Sequence, residues 1–387
     1  MNFDLTEEQQ IIVDAVAKFV ANDSPVERFR KLRETERGWE AAMWERMGEY
    51  GWLGVAFPEE QGGFGGRFVD VALILEQLGR GLVPEPYIAS VVLAGGLISR
   101  LGTPDQLAQH LAPSIEGQSS LALAYAERQS RYNPADCLTT AAKSGDRYTL
   151  HGEKVWVLNG HAADAIVVAA RTAGEQLDEE GLTLFLVDAN APGLTRTPVR
   201  GMDGQHTALL HLDGVEVGAE DVLGDEGRGL EPLQWALDRG AAAACAEGLG
   251  EVEELFERTV AYLKERRQFG VPIGTFQALQ HRAAEMFIET ELCRSTMILA
   301  AIQADAPEPE ERKADISAAK VQLARGGWFV QANAIQLFGG IGVTDEQDEG
   351  LFFKRLRVLN GLFGDADYHV DRFQRLPRFD AEVRAGD

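Results

Sequence analysis

The sequence predicts a mixed α+β, multidomain fold in three parts: an amino-terminal helical domain (residues 1–117), a middle β-barrel-like domain (118–228) and a carboxy-terminal helical bundle (229–387). Apolar residues recur at helical spacing in both outer parts. The middle part instead breaks into short runs bounded by Gly, Asp, Asn or Pro, which is the pattern of strands. A chain of 387 residues has enough material for more than one buried core.

The first helix is announced by Thr6-Glu7-Glu8-Gln9, a capping-box pattern, followed by Ile12, Val16, Phe19 and Val20 on one face. Met43, Trp44, Met47 and Tyr50 mark another helix. The glycine-rich run Gly51 to Gly66 predicts a tight loop, and Val71, Leu75 and Leu78 a further helix. In the middle part, Ser120–Tyr125, Tyr148–Leu150, Val155–Leu158, Ala165–Val168 and Leu182–Val187 read as strands. His206–Val217 reads as a strand pair around the turn dipeptide Asp213-Gly214. Beyond residue 229 long amphipathic stretches run over 231–267, 276–304 and 311–338, and a last helix begins near Glu346. Four long helices with short connections predict an up-down bundle.

Composition narrows the function. With 45% hydrophobic and 25% charged residues the chain is globular, and no stretch approaches the roughly 18 apolar residues of a membrane span. The amino terminus shows no signal-peptide pattern. A formal net charge of −24 leaves no basic footprint for nucleic acid and disfavours an anionic membrane surface. Cys137, Cys245 and Cys293 are too scattered for a disulfide framework or a metal motif. A cytoplasmic protein with no resident metal is expected.

Two segments carry the most information. Arg266-Arg267-Gln268-Phe269-Gly270 ends one long helix, and Gln336-Leu337-Phe338-Gly339-Gly340-Ile341-Gly342 ends another. With the Trp52–Gly66 loop and Gly152–Gly160, they make the whole chain resemble the acyl-CoA dehydrogenase family. Tyr125–Tyr132 and Leu362–Asp367 resemble most the small subunit of pimeloyl-CoA dehydrogenase. The resemblance implies the acyl-CoA dehydrogenase fold, FAD as cofactor and an acyl-CoA substrate, for which a few local cations suffice on an acidic protein. It implies that Arg266, Phe269, Gln336, Gly339 and Gly340 hold the adenosine end of an FAD bound mainly by a neighbouring subunit, and that Trp156 flanks the flavin. A homologous larger subunit is the implied partner, and an electron-transfer protein the implied acceptor.

The same resemblance exposes departures. Removing an α-proton needs a carboxylate beside Cα, and redox chemistry needs the flavin. The family's two base positions correspond to Phe363 and Gly240, and Ala241 replaces an arginine. Ala126 and Leu158 stand where flavin-facing threonines are usual. Arg128-Gln129-Ser130-Arg131-Tyr132 replaces a Pro-Gly-x-Gly-Ser loop. Each loss removes a hydrogen bond of about 0.5–1.5 kcal/mol net. The expected role is therefore the degenerate subunit of a heterotetramer. Two alternatives stay open: a self-sufficient enzyme with Asp365 as an unorthodox base, or a non-redox acyl-CoA-binding subunit. Asp365 and Asp367 read more simply as caps of the following helix or as solvent-facing groups, and Glu247 as a structural group. His151, His161, His206 and His211 show no ligand spacing. Arg128 and Arg131 face either an anion or solvent, and Trp328, Phe329 and Val330 lie on a helix suited to a subunit interface.

Overall fold

The computed structural model describes residues 5–377. Its helices are α1 (Glu7–Asp23), α2 (Val26–Leu32), α3 (Ala41–Glu49), α4 (Phe68–Arg80), α5 (Gly96–Leu101), α6 (Pro104–Gln106), α7 (Ala112–Ile115), α8 (Leu230–Glu265), α9 (Gln277–Gln303), α10 (Pro309–Gln322), α11 (Trp328–Phe338), α12 (Glu349–Gly361) and α13 (Ala366–Gln374). Strands β1 (Leu121–Ala124), β2 (Thr140–Ser144), β3 (Arg147–Leu158), β4 (Ala165–Arg171), β5 (Leu182–Asp188), β6 (Leu194–Arg200), β7 (His206–Gly218) and β8 (Val222–Leu223) fill the middle. The short β9 (Arg267–Gln268) and β10 (Val271–Pro272) follow α8. The chain divides into two compact units. One comprises Lys31–Gly66 and Pro84–Gly240; the other comprises the chain up to Arg30, Arg67–Val83 and the chain from Ala241.

The first unit is organised by an eight-stranded sheet of order β6-β7-β3-β2-β4-β5-β8, with β1 joined in parallel to β4. Ser144 pairs with Arg147 across the two-residue Gly145-Asp146 loop, so β2 and β3 form a tight hairpin. Tyr148, Leu150, Ile166, Val168, Phe185, Leu210 and Leu212 fill the core beneath the sheet. The long strands β3 and β7 pair over nearly their whole length with two irregularities. One of these corrects a sequence expectation. Asp213-Gly214 is not a turn between strands but a bulge inside β7: His151 pairs with Asp213 and Leu150 with Val215. Gly214, at φ 72°, is the extra residue, and a glycine in the left-handed region is what such a bulge requires.

The second unit is helical. α1 begins with the expected capping box, Gln9 N–H donating to Thr6 Oγ1 at 3.2 Å and Thr6 N–H to Gln9 Oε1 at 3.1 Å. α4 crosses the later turns of α8 backbone to backbone. A Cβ on Gly79 would lie 2.1 Å from the Glu247 carbonyl oxygen, and one on Gly250 only 1.8 Å from that of Glu76. The stretch expected as one helix over 311–338 is α10, a wide-turned π segment (Leu323–Gly327) and α11. Leu249, Val252, Met286, Cys293, Leu323, Val330 and Leu356 are among the buried side chains of this helical unit.

Candidate functional site

The two helix-end signatures meet at one end of the helical unit. Tyr262, in the last turn of α8, stacks on Phe338, the last residue of α11, with ring centroids 4.2 Å apart. The Tyr262 hydroxyl also donates to the Phe338 carbonyl at 3.4 Å. Arg266 follows one turn after Tyr262, its N–H donating to the Tyr262 carbonyl at 2.8 Å. The chain then reverses in the β9–β10 hairpin, where Phe269 (φ 52°) and Gly270 (φ 82°) are the turn residues. Phe269 is left 91% exposed at the tip. Beside Phe338, Gly339 and Gly340 are exposed, and a Cβ on either would meet nothing within 4 Å. The side chains of Arg266 and Gln336 are exposed and make no hydrogen bond or ion pair among the described residues. A free guanidinium, a free amide, an exposed ring that meets Phe276 edge to face (centroids 6.1 Å apart) and open glycine backbone on one end fit the adenosine diphosphate part of FAD. The guanidinium suits phosphate oxygens, the ring suits a base or ribose face, and the glycines admit close approach.

Trp156 belongs to the sheet unit. It sits at the second irregularity of β3, between Lys154 and Val157, at φ 53° and 61% exposed. Both flanks of this bulge are pinned. On one side Lys154 Nζ donates to Glu127 Oε1 at 2.7 Å, with both side chains buried. Glu127 Oε1 also accepts from the Thr139 N–H (3.0 Å) and hydroxyl (2.7 Å), and Oε2 from the Leu138 N–H (2.8 Å) and Gln129 (2.8 Å). Burial alone would raise the Glu127 pKa. The Lys154 charge and the hydrogen bonds from Lys154, Gln129 and Thr139 prevail and lower it to about 2. On the other side Asn159, at φ 58°, accepts from Trp39 Nε1 at 3.1 Å and donates to Ser120 Oγ and the Leu121 carbonyl. An exposed tryptophan on so constrained a strand is shaped to meet a planar partner.

At the two base positions there is no carboxylate. Gly240 is buried within α8. Phe363 occupies the turn between α12 and α13, half-buried, at φ 58°. Asp365 is the N-cap of α13, its Oδ1 accepting from the Tyr368 N–H at 2.9 Å. Glu247 is buried and accepts from Arg355 Nε at 2.7 Å, a structural ion pair. Arg128 lies 3.7 Å from Glu153, and Arg131 is exposed. His161 and His206 contact the Arg37 and Glu36 carbonyls, His151 accepts from the Gly214 N–H, and His211 lies 3.7 Å from Glu153. Trp328 is 44% exposed, but Val330 is buried.

Three groups escape sequence reading. Glu127 and Lys154 are one. Lys320 and His369, both buried beneath the Phe363 turn, are another. The third is Glu76 and Glu253, which share Arg294; burial and the Glu76 charge push Glu253 up to about 7. The one available signal was a lysine at a core-facing position: Lys154 on a strand and Lys320 in an alanine-rich helix.

No described helix is long and apolar enough to cross a membrane. Three family profiles match in succession: the acyl-CoA dehydrogenase N-terminal domain (residues 6–118), middle domain (122–215) and C-terminal domain (227–375). The probable acyl-CoA dehydrogenase YngJ of Bacillus subtilis is 31% identical over 89% of this chain and 91% of its own. Butyryl-CoA dehydrogenase from Megasphaera elsdenii superposes with a TM-score of 0.89 at 27% identity, over 96% of this chain and 98% of its own. A chain of the ChsE4–ChsE5 complex from Mycobacterium tuberculosis does so with a TM-score of 0.87 at 28% identity, over 97% and 98%. With all three domain profiles in order along its length, the chain belongs to the acyl-CoA dehydrogenase family of FAD-dependent oxidoreductases.

Proposed function

We propose that this chain is the non-catalytic subunit of a two-chain acyl-CoA dehydrogenase, of the kind represented by the small subunit of pimeloyl-CoA dehydrogenase. It donates the adenosine half of an FAD site to a homologous, larger partner. The observation that carries this reading is the contrast between its two ends. Arg266, Phe269, Gln336, Gly339 and Gly340 are exposed, whereas the base positions hold Phe363 and Gly240.

FAD, when bound, supplies the hydride acceptor for α,β-dehydrogenation of the thioester. The work of this chain is then positional. Arg266 neutralises pyrophosphate oxygens with a charge-assisted pair. Phe269 covers the adenosine, Gln336 donates its amide, and Gly339 and Gly340 let the backbone approach. Trp156 lies against a flavin ring. A phenylalanine accepts no proton, so the α-proton goes to a carboxylate of the partner. The ChsE4–ChsE5 complex, to which this chain is similar, supports a two-chain assembly. Engagement of Asp365 as a helix cap weighs against its service as a base.

The test is flavin stoichiometry and turnover of the chain alone and after co-expression with its homologue, using straight-chain acyl-CoAs and an artificial electron acceptor. Alone, it is expected to carry little flavin and to show negligible turnover, since loss of a general base costs about 10²–10⁴-fold. Robust turnover alone, abolished by Asp365→Asn, would install Asp365 as the base and defeat the shared-site reading.

A further inference from the structure

The turn that carries Phe363 is held with more machinery than a surface connection needs. Lys320, from α10, is buried among backbone carbonyls at the end of α12. Its Nζ donates to Leu359 O at 2.7 Å, to Leu362 O at 2.7 Å and reaches Asn360 O at 3.5 Å. The ammonium thus faces three carbonyls at and just past the end of α12, of which Leu359 O also accepts from the Leu362 N–H at 3.2 Å. The next carbonyl, Phe363 O, lies 3.1 Å from His369 Nε2, and His369 Nδ1 lies 3.1 Å from Ser317 Oγ. A carbonyl only accepts, so Nε2 carries the proton and Nδ1 accepts from the serine hydroxyl. Burial and the nearby Lys320 and Arg372 charges push the His369 pKa down to about 2, which keeps that tautomer neutral. Gly364, at φ 117°, packs so closely that a Cβ would meet Tyr368 at 2.3 Å and His369 Nε2 at 2.6 Å.

A phenylalanine in the left-handed region is strained, and such strain persists only where the surroundings over-determine it. Here they do: four acceptors within five residues, from Leu359, Asn360, Leu362 and Phe363, are met by two buried side chains. We infer that Lys320 and His369 are positioning residues that lock the Leu362–Gly364 turn and present the side chain at 363 in a single conformation. This rests on the reading above, in which the turn borders the acyl site. It adds that the turn is kept rigid although its residue is apolar, so Phe363 serves as a fixed wall and not as a flexible plug.

The titratable groups around the latch are Cys245 on α8, Asp365, and Arg372 with the neutral His369 on α13. Burial lowers the Lys320 pKa to about 8, against the opposing pull of Cys245 and Asp365. The latch therefore loses a proton within an accessible range.

The experiment places trifluoromethyl-phenylalanine at position 363 of the full chain, in its native oligomer, and records the fluorine spectrum. One narrow resonance is expected, moving with pH through about 8. Lys320→Met should abolish that movement and add a second resonance of about a tenth of the intensity or more. His369→Ala should also add one, and His369→Gln, which keeps an N–H for the Phe363 carbonyl, should restore a single line. If Lys320→Met fails to fold, the two His369 variants decide. A single line at unchanged position in both His369 variants would overturn the inference, whatever happens to melting temperature. Because no turnover is read, a chain found active alone would defeat the shared-site reading without touching this result.

Discussion

Lys154→Met tests the buried pin beside Trp156. The wild-type pair is closed to solvent: Lys154 is 0% and Glu127 4% exposed at the side chain, 2.7 Å apart. Methionine roughly matches the lysine stem, so the substitution deletes the charge and leaves little cavity. Glu127 keeps its donors from Gln129, Leu138 and Thr139 but loses its counter-charge. Stranding one member of a buried pair costs about 3–5 kcal/mol, whereas replacing both is often near neutral. Urea unfolding followed by tryptophan fluorescence should show a loss in that range for Lys154→Met. Glu127→Gln/Lys154→Met should recover at least about 2 kcal/mol of it. Flavin retention should fall with the single variant, because the bulge that projects Trp156 begins at Lys154. A cost below about 1 kcal/mol, or two single costs that add within about 0.5 kcal/mol, would refute the reasoning.

Acid should release the same pin. The Glu127 pKa falls from 4.5 to about 2 on folding, so its contribution is complete above 4.5 and drains away as pH drops through about 2; it is worth about 3 kcal/mol in unfolding free energy measured across that window. Arg266→Ala should weaken FAD retention by the assembled protein by about 1.5–3 kcal/mol, seen as faster flavin loss on dilution, and unchanged retention would make the motif incidental. Asp365→Ala should cost about 1 kcal/mol in thermal or urea unfolding, and Asp365→Asn far less, because both aspartate and asparagine cap helices.

The architecture was legible because periodicity reports burial. Thr6 and Gln9 cap α1 as their spacing implies, and helix and strand blocks fall where the apolar spacing changes. Asp213-Gly214 misled for a physical reason: a hairpin turn and a glycine bulge both demand positive φ, and only the pairing partner, here His151, tells them apart. Arg266, Phe269 and Gln336 were singled out through motif spacing, whereas the lack of a hydrogen-bond or ion-pair partner for the Arg266 and Gln336 side chains among the described residues is a tertiary fact. Lys154, Lys320 and His369 stayed hidden because a buried charge is defined by what surrounds it. Glu127 lies 27 residues from Lys154, and the Leu362 carbonyl 42 from Lys320.

The crossing of α4 over α8 has a consequence for biosynthesis. Gly79 and Gly250 let two helices touch through their backbones, so the Glu76–Arg80 end of α4 meets a helix made much later. About 170 residues separate the two glycines, which at roughly 5–20 residues per second is on the order of 10–30 s of translation. Throughout that interval α4 can pack on α1, made before it, but the backbone crossing at Gly79 closes only after α8 has emerged.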